Sequence, residues 1–258
     1  MASTERGDEL VLVDLRDRPE VAQTLGPLAG SASWASDGGE VAWCASRGST
    51  SLVALDGEAR RTVDGCDVRL AGGRVLTRPD ELFAKEVLLD GAAYLDQEEI
   101  AAALPGDASD LVSVLGYDEA PAGLLALVVV GVGRADFVQQ LQLWRGESLE
   151  RTLELGRSPR AVVANVGDFG FAGKAVRLGP TGREVAIGPP SHGLVRTTLV
   201  DLATGARVLL PPARSLDWSP DGRWLALAEA DAVRVYGGER TSHVYALPLE
   251  AGSLAWRE

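Results

Sequence analysis

Short apolar runs separated by turn residues recur along the chain. In SLDWSPDGRWLALAEADAVRVY, residues 215–236, two such runs follow the turn Ser219-Pro220-Asp221-Gly222. Proline presets the backbone φ, aspartate bonds to its own backbone and glycine accepts a positive φ, so these residues favour a tight turn. The runs WLALA and AVRVY have the composition and alternation of β-strands. The segment therefore predicts successive antiparallel strands joined by tight turns.

The same pattern returns elsewhere, which predicts a repeat protein. Further copies of the turn and its flanking strands occur at residues 33–46, 69–77, 113–131 and 177–188. The copy at 69–77 has a shortened turn, and we interpret the copy at 113–131 as having a longer one. No apolar period of 3.6 residues is sustained, which excludes helical repeats. Each repeat thus comprises four short strands in about 36 to 45 residues.

Four-stranded units of this size, arranged radially, form a β-propeller, so we predict an all-β fold with residues 1–258 in a single propeller domain. The WSPDGxxLA pattern of 218–226 and the LVDLATG segment of 199–205 resemble the TolB-type and WD-related bacterial β-propellers. The resemblance is weaker over 34–42 and weakest over 66–170. It implies a propeller that acts through protein partners.

The two ends of the chain predict how the ring closes. The chain begins with what reads as a third strand and ends on a first strand, so strands within 9–28 and 252–258 would form one composite blade. This gives six blades, with five or seven as alternatives, and it removes exposed strand edges. The composite blade has no obvious second strand; either it has three strands or the natural chain continues past Glu258. A helical insertion is predicted at 96–106, capped by Asp96.

Charge and hydropathy narrow the class of partner. The formal net charge of −12 repels phosphate backbones, so we expect no nucleic-acid binding. The longest apolar run, 123–133, is too short for a membrane span, so we expect no membrane insertion by this chain. The N-terminus lacks a signal-peptide pattern, which predicts a cytoplasmic location for the chain as given, or a periplasmic or extracellular one if a leader was removed. We expect no cofactor and a monomer.

Several side chains are expected to be buried. Two cysteines are too few for a disulfide framework, so we interpret Cys44 and Cys66 as buried thiols, with a single bridge as the alternative. Four tryptophans fall on the inner two strands of their repeats and should pack between blades: Trp34, Trp43, Trp218 and Trp256. Trp144 and Trp224 are expected to be partly exposed.

No pattern predicts a catalytic or metal centre. His192 and His243 are about fifty residues apart, and no cysteine or carboxylate stands at metal-ligand spacing from either. A Gly-x-Ser-x-Gly nucleophile elbow does not occur in the sequence. The repeated Asp-Gly pairs are explained by turn chemistry and do not require calcium.

Charged residues at one position of the repeat are the best candidates for binding. In a propeller the first strand of each blade lines the central channel. The residue before the tryptophan position reads, around the ring, Ser33, Arg69, Val114, Arg177, Asp217 and Ala255. A charge on an innermost strand needs a partner or water. Arg69, Arg177 and Asp217 are therefore predicted to pair across the channel, or to bind a small anion or a peptide carboxylate.

The leading functional hypothesis is a non-catalytic scaffold that binds a protein partner. Long loops at 78–87, 96–110 and 157–174 would supply the contacts, and the acidic surface favours a basic patch on the partner. One alternative is an enzyme or small-ligand binder that uses the channel mouth. Another is an accessory propeller domain of a larger exported or membrane-anchored protein. The fold does not choose among these roles, and the sequence does not identify the partner.

Overall fold

The chain is described by a computed structural model in all but its uncertain segments. The described residues are 9–14, 20–27, 32–34, 39–46, 48–54, 60–71, 74–79, 84–106, 108, 111–120, 122–159, 175–188, 196–213, 215–237 and 243–248. In these ranges every sheet is antiparallel, and each strand pairs with its neighbour along the chain.

Five four-stranded sheets, which we call blades 1 to 5, follow one another in sequence. Blade 1 contains β3 (Ala32–Trp34), β4 (Glu40–Ser46), β5 (Ser49–Ala54) and β6 (Arg60–Asp64). Blade 2 contains β7 (Cys66–Ala71), β8 (Arg74–Arg78), β9 (Val87–Leu89) and β10 (Ala92–Leu95). Blade 3 contains β11 (Leu111–Glu119), β12 (Leu124–Val132), β13 (Asp136–Arg145) and β14 (Ser148–Pro159).

Blade 4 contains β15 (Ala175–Leu178), β16 (Glu184–Gly188), β17 (Thr197–Asp201) and β18 (Arg207–Leu210). Blade 5 contains β19 (Ser215–Trp218), β20 (Trp224–Ala228), β21 (Val233–Gly237) and β22 (His243–Leu247). Before blade 1, β1 (Glu9–Asp14) and β2 (Glu20–Pro27) form a separate two-stranded sheet, the N-terminal sheet.

The predicted turn chemistry is present at the first turn of blade 5. Gly222 has φ 69° and donates its N–H to the Ser219 carbonyl at 2.8 Å. The Ser219 hydroxyl accepts the Trp224 N–H at 2.9 Å, and the Asp221 carboxylate accepts the Arg223 N–H at 3.0 Å. These hydrogen bonds within the turn close it locally, which is why Ser-Pro-Asp-Gly ends one strand and starts the next.

The blades are arranged as a β-propeller. The first strand of each blade contacts the first strand of the next, from β3 and β7 through β11 and β15 to β19. The second strands lie between neighbouring blades and are buried on both faces; all nine residues of β12 are buried. This burial explains the continuous apolar run at 123–133, since a strand covered on both faces does not alternate.

The predicted count of six blades is not confirmed. The described residues form five blades, and the N-terminal sheet has only two strands. The C-terminal strand predicted at 252–258 lies outside the described residues, so the composite blade is not seen. The all-β propeller itself is confirmed.

One short helix packs on blade 3. Helix α1 (Gln97–Ala102) lies within the predicted segment 96–106, and the Asp96 carboxylate accepts the Glu98 and Glu99 N–H groups in a capping box. Gly131 of β12 lets the chain after α1 approach closely, because a Cβ there would lie 2.2 Å from the Ala108 carbonyl oxygen. In the described part of the chain, no helix combines the length and apolar character that crossing a membrane requires.

Two burial predictions are wrong. Cys44 and Cys66 are not free thiols but form a disulfide, with their Cα atoms 5.2 Å apart. The chain leaves β6 and returns through Gly65 to begin β7 beside the end of β4, and this brings the two residues together. Trp144 is buried at 4 % exposure, because α1 covers β13; its indole N–H donates to Gln142 at 3.1 Å.

Candidate functional site

One residue on each first strand occupies the same position in its blade. Each is paired across the sheet with the equivalent residue of the second strand. The pairs are Ser33 with Ala42, Arg69 with Leu76, Asp118 with Ala126, Arg177 with Ala186 and Asp217 with Ala226. Around the five blades the position therefore reads Ser, Arg, Asp, Arg, Asp, an alternation of positive and negative side chains after blade 1.

For blade 3 the sequence analysis predicted Val114 at this position, and that prediction is wrong. Strand β11 has nine residues and runs on to Glu119, so Asp118, which pairs with Ala126, occupies the channel position; the bulge between Val114 and Gly116 shifts the register by only one residue. The turn that follows is longer than the shortened turn of blade 2, where Leu70 pairs with Val75, but it is not longer than the turns of blades 4 and 5. It is one residue shorter than in blade 5, since Glu119 pairs with Leu125 whereas Trp218 pairs with Leu225.

The same position links neighbouring blades through the backbone. The Leu70 N–H of blade 2 donates to the Ser33 hydroxyl of blade 1 at 3.0 Å. The Leu178 N–H of blade 4 donates to the Asp118 carboxylate of blade 3 at 2.7 Å. The side chain at the channel position thus accepts the N–H that follows the equivalent position in the next blade, which ties the inner strands together.

Around these residues lies a group of six charged side chains that we call the channel cluster. Its members are Asp67, Arg69, Arg78, Asp118, Arg177 and Asp217. They come from blades 2 to 5, and the group contains three guanidinium groups and three carboxylates.

Asp67 contacts both arginines that blade 2 contributes to the channel cluster. Its carboxylate lies 3.6 Å from Arg69 Nη2 and 3.2 Å from Arg78 Nε. Its backbone carbonyl accepts the Tyr117 hydroxyl at 2.6 Å. Burial first, and then the nearby Asp67 charge, raise the pKa of Tyr117 well above its usual value, so the phenol stays protonated and donates. Asp67 was not predicted as a site residue.

The conformation of Asp67 depends on its neighbours in the chain. It has φ 58°, which is the left-handed region that non-glycine residues rarely occupy. The preceding residues are Gly65, at φ 88°, and Cys66 of the disulfide. A Cβ at Gly65 would lie 2.6 Å from the Arg78 carbonyl oxygen. Close backbone packing and a covalent link to blade 1 therefore hold Asp67 in place.

Asp118 lies between the two arginines of the neighbouring blades. Burial raises its pKa from the usual value near 3.8 to about 6, while the charges of Arg177 and Arg69 and the Leu178 hydrogen bond oppose this rise. The Asp217 charge raises it further. Asp118 is consequently a carboxylate that feels the charge of two guanidinium groups and that desolvation makes easy to protonate.

Arg177 and Asp217 were predicted to pair, and the structure brings them together. Arg177 Nε lies 3.4 Å from the Asp217 carboxylate, and Arg177 Nη1 donates to the Val176 carbonyl at 2.9 Å. Burial lowers the pKa of Arg177, and the charge of Arg69 lowers it further, so these two guanidinium groups are electrostatic neighbours. Arg69 itself pairs with Asp67 rather than with Asp217.

A second ion pair adjoins the channel cluster. Glu119 takes the tryptophan position in blade 3 and pairs with Arg74 of blade 2, whose guanidinium lies 5.9 Å from the ring centroid of Tyr94. The Glu119 side chain is 1 % exposed. Burial raises the pKa of Glu119, and the Arg74 charge opposes the rise. This pair joins blades 2 and 3.

Other predicted features lie partly outside the described residues. His192 and Ala255 fall there, and His243 begins β22, although its side chain is not described. Residues 160–174 of the predicted loop 157–174 also fall there, whereas 157–159 end β14. Within the described ranges, no group of three or more His, Cys, Asp or Glu side chains is placed to hold a metal ion.

Comparison with known proteins supports the fold alone. No protein-family model and no curated protein matches the chain. Among solved structures, the Kuenenia stuttgartiensis hydrazine synthase is similar, with a TM-score of 0.59 and 12 % sequence identity. The match covers 96 % of this chain and 83 % of that one. At this identity the likeness shows a shared β-propeller architecture, and a shared fold does not carry a shared reaction.

Proposed function

We propose that the protein is a non-catalytic binding module that holds a protein partner against the outer strand of blade 5. The observation that carries this proposal is the exposure of β22. Val244 is 61 % exposed, Tyr245 59 % and Leu247 37 %. These three residues lie within one five-residue strand at the edge of its sheet.

Three of the other four outer strands, β6, β14 and β18, support this choice by contrast. Strand β10 (AAYL) also lacks charged side chains, but it exposes no large apolar side chain. Edge strands are usually protected from pairing by charged side chains. Strand β6 exposes Arg60 and Arg61, β14 alternates glutamates with arginines, and β18 begins with an exposed Arg207. Strand β22, with the sequence HVYAL, carries no acidic residue, lysine or arginine. Among the described residues no strand pairs with its outer edge, so this edge is the best candidate for pairing with a further strand.

The partner we propose is an extended protein segment that pairs with the free edge of β22. Main-chain hydrogen bonds would supply affinity, and apolar side chains at alternate positions would cover Tyr245 and Leu247. The net charge of −12 favours a segment with basic residues beside the apolar ones.

The test places a lysine on this edge. Tyr245→Lys protein and wild type are used as baits in the source cells, with Thr62→Lys as the matched control, because Thr62 is an exposed residue of outer strand β6. We expect one partner to bind wild type and Thr62→Lys but not Tyr245→Lys. The purified partner should then slow amide hydrogen exchange in β22. Equal binding to all three proteins, or no slowing in β22, would contradict the proposal.

We also propose that the ring closes through a composite sixth blade, formed by the N-terminal sheet and residues 252–258. On one side, the Trp43 indole of blade 1 donates to the Pro27 carbonyl of β2 at 3.0 Å. On the other, Ala228 and Val233 of blade 5 are 0 % and 5 % exposed, yet they cluster only with residues of their own blade among the described side chains. A single sheet does not shield its own face from water, so this burial supports a covering blade.

Removal of residues 252–258 tests the composite blade. We expect the truncated protein to unfold at a lower urea concentration than the full chain. An unchanged midpoint would contradict closure by this segment.

We also propose that the protein is related to the TolB-type and WD-related propellers, because it shares with them the Ser-Pro-Asp-Gly turn and the meander of four strands.

We propose an oxidising compartment for the protein. The disulfide between Cys44 and Cys66 supports this, because such bonds persist in exported proteins and are rare in the cytosol. Thiol labelling of the protein directly in lysed source cells tests the proposal: we expect no labelling without a reductant. Complete labelling would favour the cytoplasm.

A further inference from the structure

The channel cluster leaves one buried donor without an acceptor. Arg69 Nε makes no hydrogen bond among the described residues, although the Arg69 side chain is only 6 % exposed. The two terminal nitrogens of the same group are engaged, one with the Val68 carbonyl at 2.6 Å and the other with Asp67. A buried N–H without an acceptor is unfavourable, so this position favours a ligand that can accept.

Charge balance in the channel cluster decides which acceptor fits. With all three carboxylates ionised, the three arginines are neutralised and an added anion is repelled by the aspartates. When Asp118 is protonated, one positive charge is in excess, which admits a monoanion and disfavours a dianion. A carboxylate has two coplanar oxygens that match the planar N–H groups of a guanidinium.

Solvent reaches the channel cluster from one side. The Asp67 and Asp217 side chains are each 23 % exposed and the Arg78 side chain 22 %, whereas Arg69 and Arg177 are 6 % and 10 % exposed. The Asp67, Asp217 and Arg78 side chains are thus in contact with water, whereas the Arg69 and Arg177 guanidinium groups are nearly buried.

We propose that the channel cluster binds a small monocarboxylate beside the Arg69 and Arg177 guanidinium groups, and that Asp118 takes up one proton when it binds. The ligand accepts the unpaired Arg69 N–H, and its negative charge takes the place of the Asp118 charge beside the two arginines. The neutral Asp118 keeps its contact with the Leu178 N–H. This site is independent of the partner surface proposed on β22.

The pH dependence follows from the groups that surround Asp118. Those that face it are Arg69 of β7, Tyr117 and Glu119 of β11, Arg177 of β15 and Asp217 of β19. In the unliganded protein, burial sets the pKa of Asp118 at about 6. A bound anion raises this pKa further, so binding takes up a proton above pH 6. Affinity should be highest below about pH 6 and fall by up to about tenfold per pH unit above it.

The test measures binding of sodium acetate by titration calorimetry at pH 5.5 and pH 8.0, with sodium chloride keeping ionic strength constant. We expect wild type to bind at pH 5.5 and at least about tenfold more weakly at pH 8.0. A titration at pH 7.0, where Asp118 of the unliganded protein is mostly ionised, should show proton uptake as a dependence on buffer ionisation enthalpy. Asp118→Asn, a neutral mimic of the protonated acid, should bind equally at both pH values. Arg69→Gln should lose binding, whereas the control Arg157→Gln, at a surface pair on β14, should not.

Each of these binding measurements can contradict the proposal. No acetate binding to wild type at pH 5.5 would show that the cluster only holds the blades together. Unchanged binding by Arg69→Gln would place the ligand elsewhere. Equal wild-type affinity at both pH values would remove the role of Asp118. If Arg69→Gln does not fold, the comparison of wild type with Asp118→Asn at the two pH values decides.

Discussion

Replacing Asp118 with asparagine should stabilise the protein at neutral and alkaline pH. The pKa of Asp118 is about 6 in the folded protein and close to 3.8 in the unfolded chain. The folded state therefore binds the proton more tightly, and stability falls as pH rises from about 4 to about 6. Above that window the full penalty applies, which for roughly two pKa units is about 3 kcal/mol. Asparagine carries no such penalty and can still accept the Leu178 N–H.

Urea unfolding followed by tryptophan fluorescence, from pH 4 to pH 8 in buffers without carboxylates, measures this difference. We expect wild type and Asp118→Asn to be equally stable near pH 4, and the variant to gain up to about 3 kcal/mol by pH 8. Asp231→Asn serves as the control, since the Asp231 side chain is 74 % exposed and should show little change. If Asp118→Asn is less stable than wild type at pH 8, attraction to Arg69 and Arg177 outweighs desolvation and the reasoning fails.

Three further changes test how the blades are held. Reduction of the disulfide, which spans 22 residues of sequence, should lower the free energy of unfolding by about 3 kcal/mol; urea unfolding with and without reductant measures this, and no change would mean that the bond adds nothing. Gly131→Ala should destabilise by about 1–3 kcal/mol because its Cβ meets a backbone oxygen, whereas Gly156→Ala, with open space around it, should be nearly neutral in the same assay. Arg74→Met should destabilise by about 3 kcal/mol at pH 8 and by less as the pH is lowered, because burial raises the pKa of Glu119 and the unpaired carboxylate can then take up a proton; the double variant with Glu119→Leu should recover most of the loss in thermal unfolding, and failure to recover would contradict the ion-pair account.

Local chemistry predicted the repeat but not every position within it. Turn residues and strand alternation located the blades, and Arg177 and Asp217 were correctly placed together. Asp118 was missed because β11 runs on to Glu119, whereas the sequence prediction placed a longer turn after Val114. Asp67 was missed because it reaches its partners only in the left-handed backbone region, which depends on contacts made after folding. The disulfide was kept only as the alternative to two buried thiols, because spacing along the chain does not reveal that two residues of different blades meet.

The alternating charges of the inner strands also bear on how a repeat protein assembles correctly. Blades of similar sequence could dock in the wrong order, within one chain or between two. The residues Arg69, Asp118, Arg177 and Asp217 alternate in sign, so omission of blade 3 would place two arginines side by side, and omission of blade 4 would place two aspartates side by side. Repulsion between like charges raises the energy of such an arrangement, and other proteins use the same repulsion to exclude wrong partners. The charges at the channel position therefore disfavour the loss of either of these two blades.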